Sequence, residues 1–411
     1  MFSRVVFVLL AFVPLALAQD SESPHSHNGM GQMNAAILYQ MNLASGTSAN
    51  PASLIPPMRM LHFDIGTEKW NAMLMGTGFA VDTQQSRGGD KLYSSNWLMG
   101  SLQHKVGAKG SFQADLMLSL EPATVTNRSY PLLFQTGETA FGNPLSDAQH
   151  PHNFVMALGF HYTRQLAART FLDLYVAPVG DPALGPVAFP HRASASEIPQ
   201  APISHHLQDS THIANDVVTL GFSRKQFKLE ASGFHGQEPG ENRWVIQQGA
   251  IDSWSARLWY FPSSSWAAQV SAGHIAHPEA LEAADQVRVT SSVSYAKNGW
   301  ASSVIWGRTH NTITRRDLNA YLFESVLNVH RNHFVTGRME WADKDELGNV
   351  PSGTYRIGAY TIGYTRELHR FRYLTTALGA NFSAYTVPDA IKPFYGAHPV
   401  GGNVFVRVRV R

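Results

Sequence analysis

The chain contains no cysteine, which excludes disulfides, thiolate metal sites, a cysteine nucleophile and a lipidated N-terminal cysteine. Charge of either sign is also scarce, because only 15% of the 411 residues are charged. The formal net charge is +2. So balanced a composition favours neither nucleic acid nor an acidic surface as a partner.

Long apolar segments are missing as well, apart from one near the start of the chain. Residues 1–4 are basic, residues 5–15 are apolar, and Ala16-Leu17-Ala18 is a small-residue cleavage signature. This order predicts a secretory signal peptide over residues 1–18. The apolar run is shorter than the roughly 20 residues that a membrane-spanning helix needs. We therefore expect no helical span in the mature chain.

What the chain does have is a succession of paired, strand-like segments. A short turn joins the two members of each pair, and long loops rich in glycine and proline separate the pairs. Three successive pairs are 216–224 with 227–235, 251–261 with 266–276, and 286–296 with 300–310. Short turns on one side and long loops on the other are typical of outer-membrane β-barrels.

Side-chain alternation within these segments agrees with that interpretation. After Gly110, apolar residues at 112, 114, 116, 118 and 120 alternate with polar residues, and Met117 is the only exception. One apolar and one polar face at period two is the pattern of a strand between lipid and a polar interior. The sequence therefore predicts an all-β fold: an up-and-down antiparallel transmembrane β-barrel with short periplasmic turns and long extracellular loops.

The strand count gives about sixteen to eighteen. The candidates are 35–45, 58–66, 70–81, 92–105, 110–120, 153–164, 169–179, 215–224, 227–237, 251–261, 266–276, 286–297, 300–310, 318–329, 332–343, 354–366, 370–385 and 401–411. Single-chain bacterial barrels have an even number of strands. Segment 35–45 is the weakest candidate, and without it the number is odd, so sixteen is the alternative count.

The predicted organisation is a signal peptide (1–18), a flexible His/Met-containing tail (19–34) and a barrel (35–411) with long loops at 121–152 and 180–214. The hairpin rhythm and the closing Val404-Phe405-Val406-Arg407-Val408-Arg409-Val410-Arg411 strand resemble Gram-negative outer-membrane barrels. Segments 130–139 and 181–186 also resemble a porin-like outer-membrane group, a resemblance that implies no mechanism. It implies a location in the bacterial outer membrane. The terminal Arg411 departs from the aromatic residue with which such barrels usually end.

Polar faces of the predicted strands would line the lumen. The predicted pore-lining residues are Arg257, Arg288, Arg338, Arg407, Arg409, Lys228, Asp115, Asp173, Glu230, Glu324 and Glu340. Both signs of charge occur, which predicts weak selectivity with a lean to anions near Arg407 and Arg409. The same charges are also compatible with pairing across strands.

The resulting function prediction is a porin-like channel for passive passage of small polar solutes, with the two long loops shaping its entrance. Its expected partners are outer-membrane lipid and the solute, without nucleic acid, and the oligomeric state stays open. Both loops are proline-rich and far longer than ordinary hairpin connections of about 2–5 residues.

A metal-binding or metal-transport barrel is the first alternative. Its candidate ligands are His25, His27, Met30 and Met33 in the tail and His150, His152, His205, His206 and His212 in the loops. Imidazole with carboxylate suits Zn or Cu(II), and imidazole with thioether favours copper. The spacing matches no specific metal motif, so solvated or hydrogen-bonding histidines are the favoured interpretation. No cofactor other than Cu or Zn is indicated.

A rim hydrolase is the second alternative. Ser204-His205 and Ser210-Thr211-His212 place hydroxyl and imidazole groups side by side. Neither lies in a recognisable nucleophile motif, and such adjacencies arise by chance where both residues are common. We therefore expect that the protein is not an enzyme and has no catalytic residues.

Overall fold

The computed structural model describes residues 33–411 of the chain. The predicted signal peptide and the tail residues His25, His27 and Met30 lie outside the described residues. Residues 34–411 form one compact unit. Among the described residues, no helix has the length and apolar character that crossing a membrane requires.

The described elements are mostly strands. In chain order they are α1 (Ala35–Gln40), β1 (Arg59–Ile65), β2 (Glu68–Gln85), β3 (Lys91–Val106), β4 (Gly110–Leu118), α2 (Glu121–Thr124), β5 (Tyr130–Ala140), β6 (Asn143–Gln149), β7 (Val155–Ala167), β8 (Thr170–Gly180), α3 (His205–Gln208), β9 (Ala214–Arg224), β10 (Phe227–His235), β11 (Ser253–Ser263), β12 (Trp266–Ile275), β13 (Gln286–Lys297), β14 (Trp300–Asn311), β15 (Asp317–His330), β16 (His333–Lys344), β17 (Tyr355–Arg370), β18 (Leu374–Thr386), α4 (Lys392–Tyr395) and β19 (Val400–Val410). Short 3₁₀ turns cover Thr126–Arg128, Ala193–Ala195, Ser210–Ile213 and Asp389–Ile391.

Sixteen of these strands close into a barrel. The ring runs β2, β3, β4, β7, β8, β9 and then in chain order to β19, which pairs antiparallel with β2 from Gly401↔Gln85 to Arg409↔Thr77. Closure pairs each of these sixteen strands on both sides, so none of them presents an open edge to lipid. The predicted all-β, up-and-down antiparallel barrel is confirmed, and the strand count is sixteen.

Side chains alternate between a polar inside and an apolar outside. In β9, Thr219 and Ser223 are buried, whereas Leu220 and Phe222 are about half exposed. The same outward pattern recurs around the ring, for example at Leu174, Leu229, Val270, Val304, Phe323, Met339, Ile362, Leu378 and Val404. A continuous apolar belt of this kind is stable only against lipid.

Two-residue turns join the strands at one end of the barrel. The turns at 168–169, 225–226, 298–299 and 331–332 each contain a residue with positive φ, namely Arg169, Lys225, Asn298 or Arg331. Left-handed residues in two-residue turns match the twist of the flanking strands. The opposite end carries longer loops, of which 119–154 and 181–213 are the longest. The first end is periplasmic by analogy with such barrels.

The predicted strand at 35–45 was wrong, because this segment begins with helix α1. Asn34 caps it by accepting a 3.0 Å hydrogen bond from the Ile37 N–H. Ala36, Ile37 and Gln40 share the buried face. Inside the barrel, Gln40 donates to Thr163 (3.0 Å) and accepts from Ser111 (2.7 Å). The inner wall is polar at this point. A helix is favoured there because one of its glutamines can hydrogen-bond to two wall strands.

Two further segments differ from the sequence prediction. The candidate at 58–66 forms β1, which is not one of the sixteen ring strands. It pairs with residues 68–74 of β2, whereas β19 pairs with residues 77–85 of the same strand. Loop 121–152 contains the hairpin β5–β6, whose register is interrupted twice. Pro131 and Pro144 within these strands hid the hairpin from pattern-based prediction.

An arginine at the lipid-facing position of Leu220 is expected to destabilise the barrel. Leu220 lies in the middle of β9, so Leu220→Arg should lower the free energy of unfolding in lipid vesicles by about 2–4 kcal/mol. Phe227→Arg, at the first residue of β10 beside a turn, should cost only about 0–1 kcal/mol. Urea unfolding of both variants checks this, and equal costs would contradict the assigned position of the bilayer.

Candidate functional site

The loop between β8 and β9 folds into the barrel and fills much of its lumen. We call residues 181–213 the lumen loop. Its Ala183 N–H donates to Ser232 of β10 (2.8 Å), and its Gly185 N–H donates to Ser271 of β12 (2.9 Å). Farther along, Ser194 meets Ser303 of β14 (2.8 Å). The loop is therefore hydrogen-bonded to the inner wall at every second strand from β10 to β14.

A buried ion-pair network holds the centre of the lumen loop. Arg192 contacts Glu324 of β15 (Nε–Oε1, 2.5 Å) and Asp209 of the loop (Nη1–Oδ2, 2.9 Å). Glu324 also pairs with Arg338 of β16 at 2.9 Å. All four side chains are at most 3% exposed. Each buried charge thus faces an opposite one, as burial requires.

The N-terminal segment (residues 34–57) enters the lumen from the periplasmic end. Lys228 donates to the Thr47 carbonyl (2.6 Å), and Arg257 donates to the Thr47 hydroxyl (3.1 Å). Both cations also pair with Glu230 at 2.9 Å. Ser53 N–H reaches the Ser264 carbonyl at a periplasmic turn (2.8 Å). The N-terminal segment, which contains none of the predicted site residues, therefore closes part of the lumen near the periplasmic end.

Gly46 shows how closely the two inserted segments pack. Its φ is +52°, and a Cβ at this position would lie 2.3 Å from the Asp181 carbonyl oxygen. Ser45 beside it donates to the Asp181 carboxylate at 2.7 Å. Only glycine fits this crossing of the N-terminal segment and the lumen loop.

The predicted pore-lining residues lie on the inner faces of the strands. All are buried except Arg409, which is partly exposed. Several meet inserted segments: Arg407 and Arg409 both pair with Glu197, Glu340 accepts from Ser204, and Arg288 donates to Ser210. Asp115 and Asp173 flank His161 at 3.3 and 3.9 Å. Their role along a solute path stays a prediction.

A cavity of about 440 Å³, which we call the vestibule, opens beside the periplasmic turn at 298–299. It extends inward to Trp97, His191 and Arg192 and is bounded by Glu197 and Arg409. The lumen loop forms its inner end. The vestibule is therefore a mainly apolar and aromatic chamber with a few charged side chains, and it stops at this loop.

The five predicted loop histidines come together above the vestibule. Ring centroids are 5.8 Å apart for His150 and His206, 5.1 Å for His205 and His206, 5.2 Å for His205 and His212, and 5.5 Å for His152 and His212. Sequence alone left open whether these residues converge. We call this chain of five rings the histidine cluster.

Carboxylates lie within hydrogen-bond distance of three of the rings. Glu138 lies 2.6 Å from His150, Glu121 lies 3.0 Å from His152, and Asp209 lies 2.7 Å from His205. Burial lowers the pKa of His150 to about 4. It also lowers the pKa of His205. Despite burial, His205 and Arg192 hold the pKa of Asp209 below its usual value. Burial therefore favours the neutral form of His150 and His205, which is the form that binds metals.

Within residues 33–411, two groups of side chains bring potential ligand atoms within 4.8 Å of one another. One consists of Glu138, His150 and His206, and the other of Glu279, Glu282 and Glu346. Arg243 also forms an ion pair with Glu138, so it would compete with a metal ion for that carboxylate. Metal binding by the predicted residues, which include Met33, stays a prediction.

Sequence reasoning missed a row of methionines on the inner wall. Met75 pairs with Met99 across β2 and β3, and Met99 pairs with Met117 across β3 and β4. Met156 of β7 packs against them. The available signal was Met117, the one apolar residue on the otherwise polar face of its strand.

The residues of the hydrolase alternative are engaged elsewhere. Ser204 donates to Glu340 at 2.8 Å, and Ser210 accepts from Arg288 at 2.9 Å. A serine nucleophile activated by histidine needs its hydroxyl aimed at the imidazole. Neither serine makes that contact with its neighbouring histidine.

Comparison with solved structures identifies proteins that share this fold. The anion-selective porin from Comamonas acidovorans superposes with a TM-score of 0.51 at 13% identity, covering 83% of this chain and 99% of that one. Salmonella typhi OmpF, in complex with daunomycin, gives a TM-score of 0.52 at 8% identity, covering 85% and 100%.

The outer-membrane channel DcaP of Acinetobacter baumannii gives a TM-score of 0.51 at 7% identity, covering 84% of this chain and 99% of that one. The chain has the porin fold. No protein-family model and no curated protein sequence matches it. These likenesses lend no support to the metal-binding alternative, which depends on the residues alone.

Removing the central arginine of the lumen loop should destabilise the folded barrel. Arg192→Ala leaves buried carboxylates short of a partner, so we expect a loss of about 3–5 kcal/mol in the free energy of unfolding. Arg128→Ala, which breaks a half-exposed pair with Glu241, should cost less than about 1 kcal/mol. Unfolding in micelles compares the two, and a similar loss in both would contradict the role assigned to the network.

Stability should fall as pH rises through neutrality because of Asp181. Burial raises the pKa of Asp181 from 3.8 to about 7, so the folded state favours the neutral carboxyl. Its contribution is complete below the unfolded pKa and is lost as pH rises through about 7. Wild-type protein should therefore lose more stability than Asp181→Asn between about pH 5 and pH 9. Parallel pH curves in urea unfolding would contradict this assignment.

Proposed function

We propose that the protein is an outer-membrane channel for passive passage of small polar solutes, gated by the lumen loop. The observation that carries the proposal is the closed sixteen-strand barrel with a polar interior and a vestibule that ends at this loop. Ions and small polar molecules can enter such a chamber without crossing lipid. Passage beyond it requires the lumen loop to shift.

The contacts of the lumen loop suit a movable constriction. It is anchored by polar contacts to β10, β12, β14 and β16 rather than by covalent links or by pairing within the main sheet. The wall behind it is polar, so a shifted loop exposes groups that water can solvate. The sheet itself need not change.

Selectivity of this channel is expected to be weak. Glu197 lies between Arg407 and Arg409, and Glu324 lies between Arg192 and Arg338. Compensated charges leave little net field for a passing ion. Arg409, partly exposed at the vestibule, provides the lean to anions that the sequence predicts.

A disulfide that fixes the lumen loop should reduce conductance. The chain has no cysteine, so Ser194→Cys with Ser303→Cys introduces one defined pair where the two hydroxyl oxygens lie 2.8 Å apart. In planar bilayers we expect the oxidised variant to conduct less than the same protein after reduction, because the loop can no longer shift. Single-channel recording with and without reductant measures this.

The matched control is Ser302→Cys with Ser325→Cys, whose hydroxyl oxygens are also 2.8 Å apart but join two wall strands. Oxidation of this pair should leave conductance unchanged. Wild-type protein that gives no conductance steps would contradict the channel proposal. Equal conductance of the oxidised and reduced loop pair would contradict gating by the loop.

A further inference from the structure

A small cavity lies between the methionine row and the histidine cluster. Its volume is about 20 Å³, and its lining includes Met99, Met117, Met156, His191 and His212. Roughly 10–15 Å³ on this measure holds one water molecule, so the cavity has the size for a single ion. We refer to it as the His/Met cavity.

Imidazole nitrogens approach this cavity in a form suited to binding. His212 Nδ1 lies 2.8 Å from the Asp209 carbonyl oxygen, which can only accept, so Nδ1 carries the proton. Nε2 therefore has a free lone pair, and within residues 33–411 this buried atom has no hydrogen-bond partner. A ring oriented through one nitrogen with the other available is the usual arrangement of a metal ligand.

His191 adds a second imidazole beside sulfur. Its Nε2 lies 3.2 Å from Sδ of Met117, and its ring lies against Trp97 with a centroid distance of 4.8 Å. A thioether is a weak hydrogen-bond acceptor, so this contact satisfies the nitrogen poorly. The pair thus brings one imidazole nitrogen and one sulfur to the same wall of the cavity.

The three methionines occupy inner-wall positions at which polar side chains are expected. At the inner positions of β4, Met117 follows Ser111, Gln113 and Asp115. Met156 lies at a register shift between β4 and β7, where Met117 pairs with Ala157 and Leu118 with Val155. An extra residue in a strand re-aims a side chain, here toward the cavity. Simple core filling does not require such a shift.

We propose that the His/Met cavity binds a soft monovalent metal ion, Cu⁺ or Ag⁺. Thioethers and neutral imidazoles are the ligands that Cu⁺ prefers, whereas divalent hard cations prefer carboxylates and water. Asp115 and Asp181 also line the cavity, but each is engaged, by Gln113 and by Ser45 respectively. The Asp115 carboxylate favours a cation without supplying a main ligand. This site is separate from the Glu138, His150 and His206 group.

The site has a route to the outside through groups of the same kind. His212 belongs to the histidine cluster, which continues through His205 to His206. His206 lines a second, small cavity together with Glu279, Glu282 and Glu346 of the outer loops. A cation arriving at the outer mouth would thus meet carboxylates first, imidazoles next and thioethers last. The proposal does not depend on the barrel being an open channel.

Silver ion is the probe, because it is soft and undergoes no redox change in the assay. The parent is the full chain carrying His25→Ala, His27→Ala, Met30→Leu and Met33→Leu, so that the tail does not bind. Titration calorimetry of the folded barrel with Ag⁺ in chloride-free buffer should show a site at the His/Met cavity. Met99→Leu with Met117→Leu should weaken it at least about tenfold, since loss of even indirect ligand support costs that much.

The matched control is Met339→Leu, the same chemical change at a lipid-facing position, which should leave Ag⁺ binding unchanged. Methionine and leucine have similar volumes, so the variants should fold, and a gel shift on heating verifies the barrel. Should the double variant not fold, His212→Gln tests the same site. X-ray absorption of the Cu⁺-loaded parent should show more sulfur neighbours than the double variant, which keeps only Met156 of the three lining methionines.

Several outcomes would overturn the proposal. Unchanged Ag⁺ affinity in the double variant would show that the thioethers are not ligands. Absence of sulfur neighbours would show the same directly. Zn²⁺ that displaces Ag⁺ from the cavity would show that the site is not soft. None of these results bears on conductance, so failure here and failure of the channel proposal are distinguishable.

Discussion

Every part of this structure depends on the closed hydrogen-bond ladder. Backbone groups within a bilayer have no water to pair with, so each strand needs a neighbour on both sides. Pairing of β19 with β2 supplies the last of these neighbours. Once the ring is closed, alternate side chains must face lipid or lumen, and the polar half of each strand is committed to the interior. The chemistry of the lumen follows from that geometry.

A polar interior creates a second requirement, which the lumen loop and the N-terminal segment meet. Inward arginines and glutamates become buried as soon as anything fills the barrel, and a buried charge without a partner is costly. Arg192 and Glu197 of the lumen loop supply those partners for Glu324, Arg407 and Arg409. The inserted segments are therefore electrostatic complements of the wall, in addition to steric obstacles.

Most of the wall could be predicted from the sequence because its rule is local. Period-two alternation and tight turns are visible within ten residues, and strands such as β13 were located to the residue. The helix at 35–40 was missed because its partners, Ser111 and Thr163, are distant in the sequence. The destination of the lumen loop was not predictable, since prolines and polar residues serve equally well in solvent and against a polar wall. The histidines were identified, but their convergence depends on how two separate loops fold.

The position at which the period-two alternation failed is also informative. Met117 broke the alternation of β4, and the structure puts it beside His191 with Met99 and Met156. A single exception within an otherwise consistent strand is weak evidence by itself. It becomes useful when neighbouring strands carry the same exception at the same height, as Met75 and Met99 do. Only the register of the sheet shows this agreement.

The strand that closes the ring, β19, follows the other fifteen ring strands in the chain, and this order has a consequence for biogenesis. Thr77 and Arg409, which touch across the closing seam, are 332 residues apart in the chain. The lumen loop likewise bonds to strands that emerge after it, such as β14 and β16. Long-range contacts of this kind slow folding, because the entropy of the intervening chain is lost before the contacts form. The ring therefore cannot close, and the contacts across its seam cannot form, until β19 is available to pair with β2.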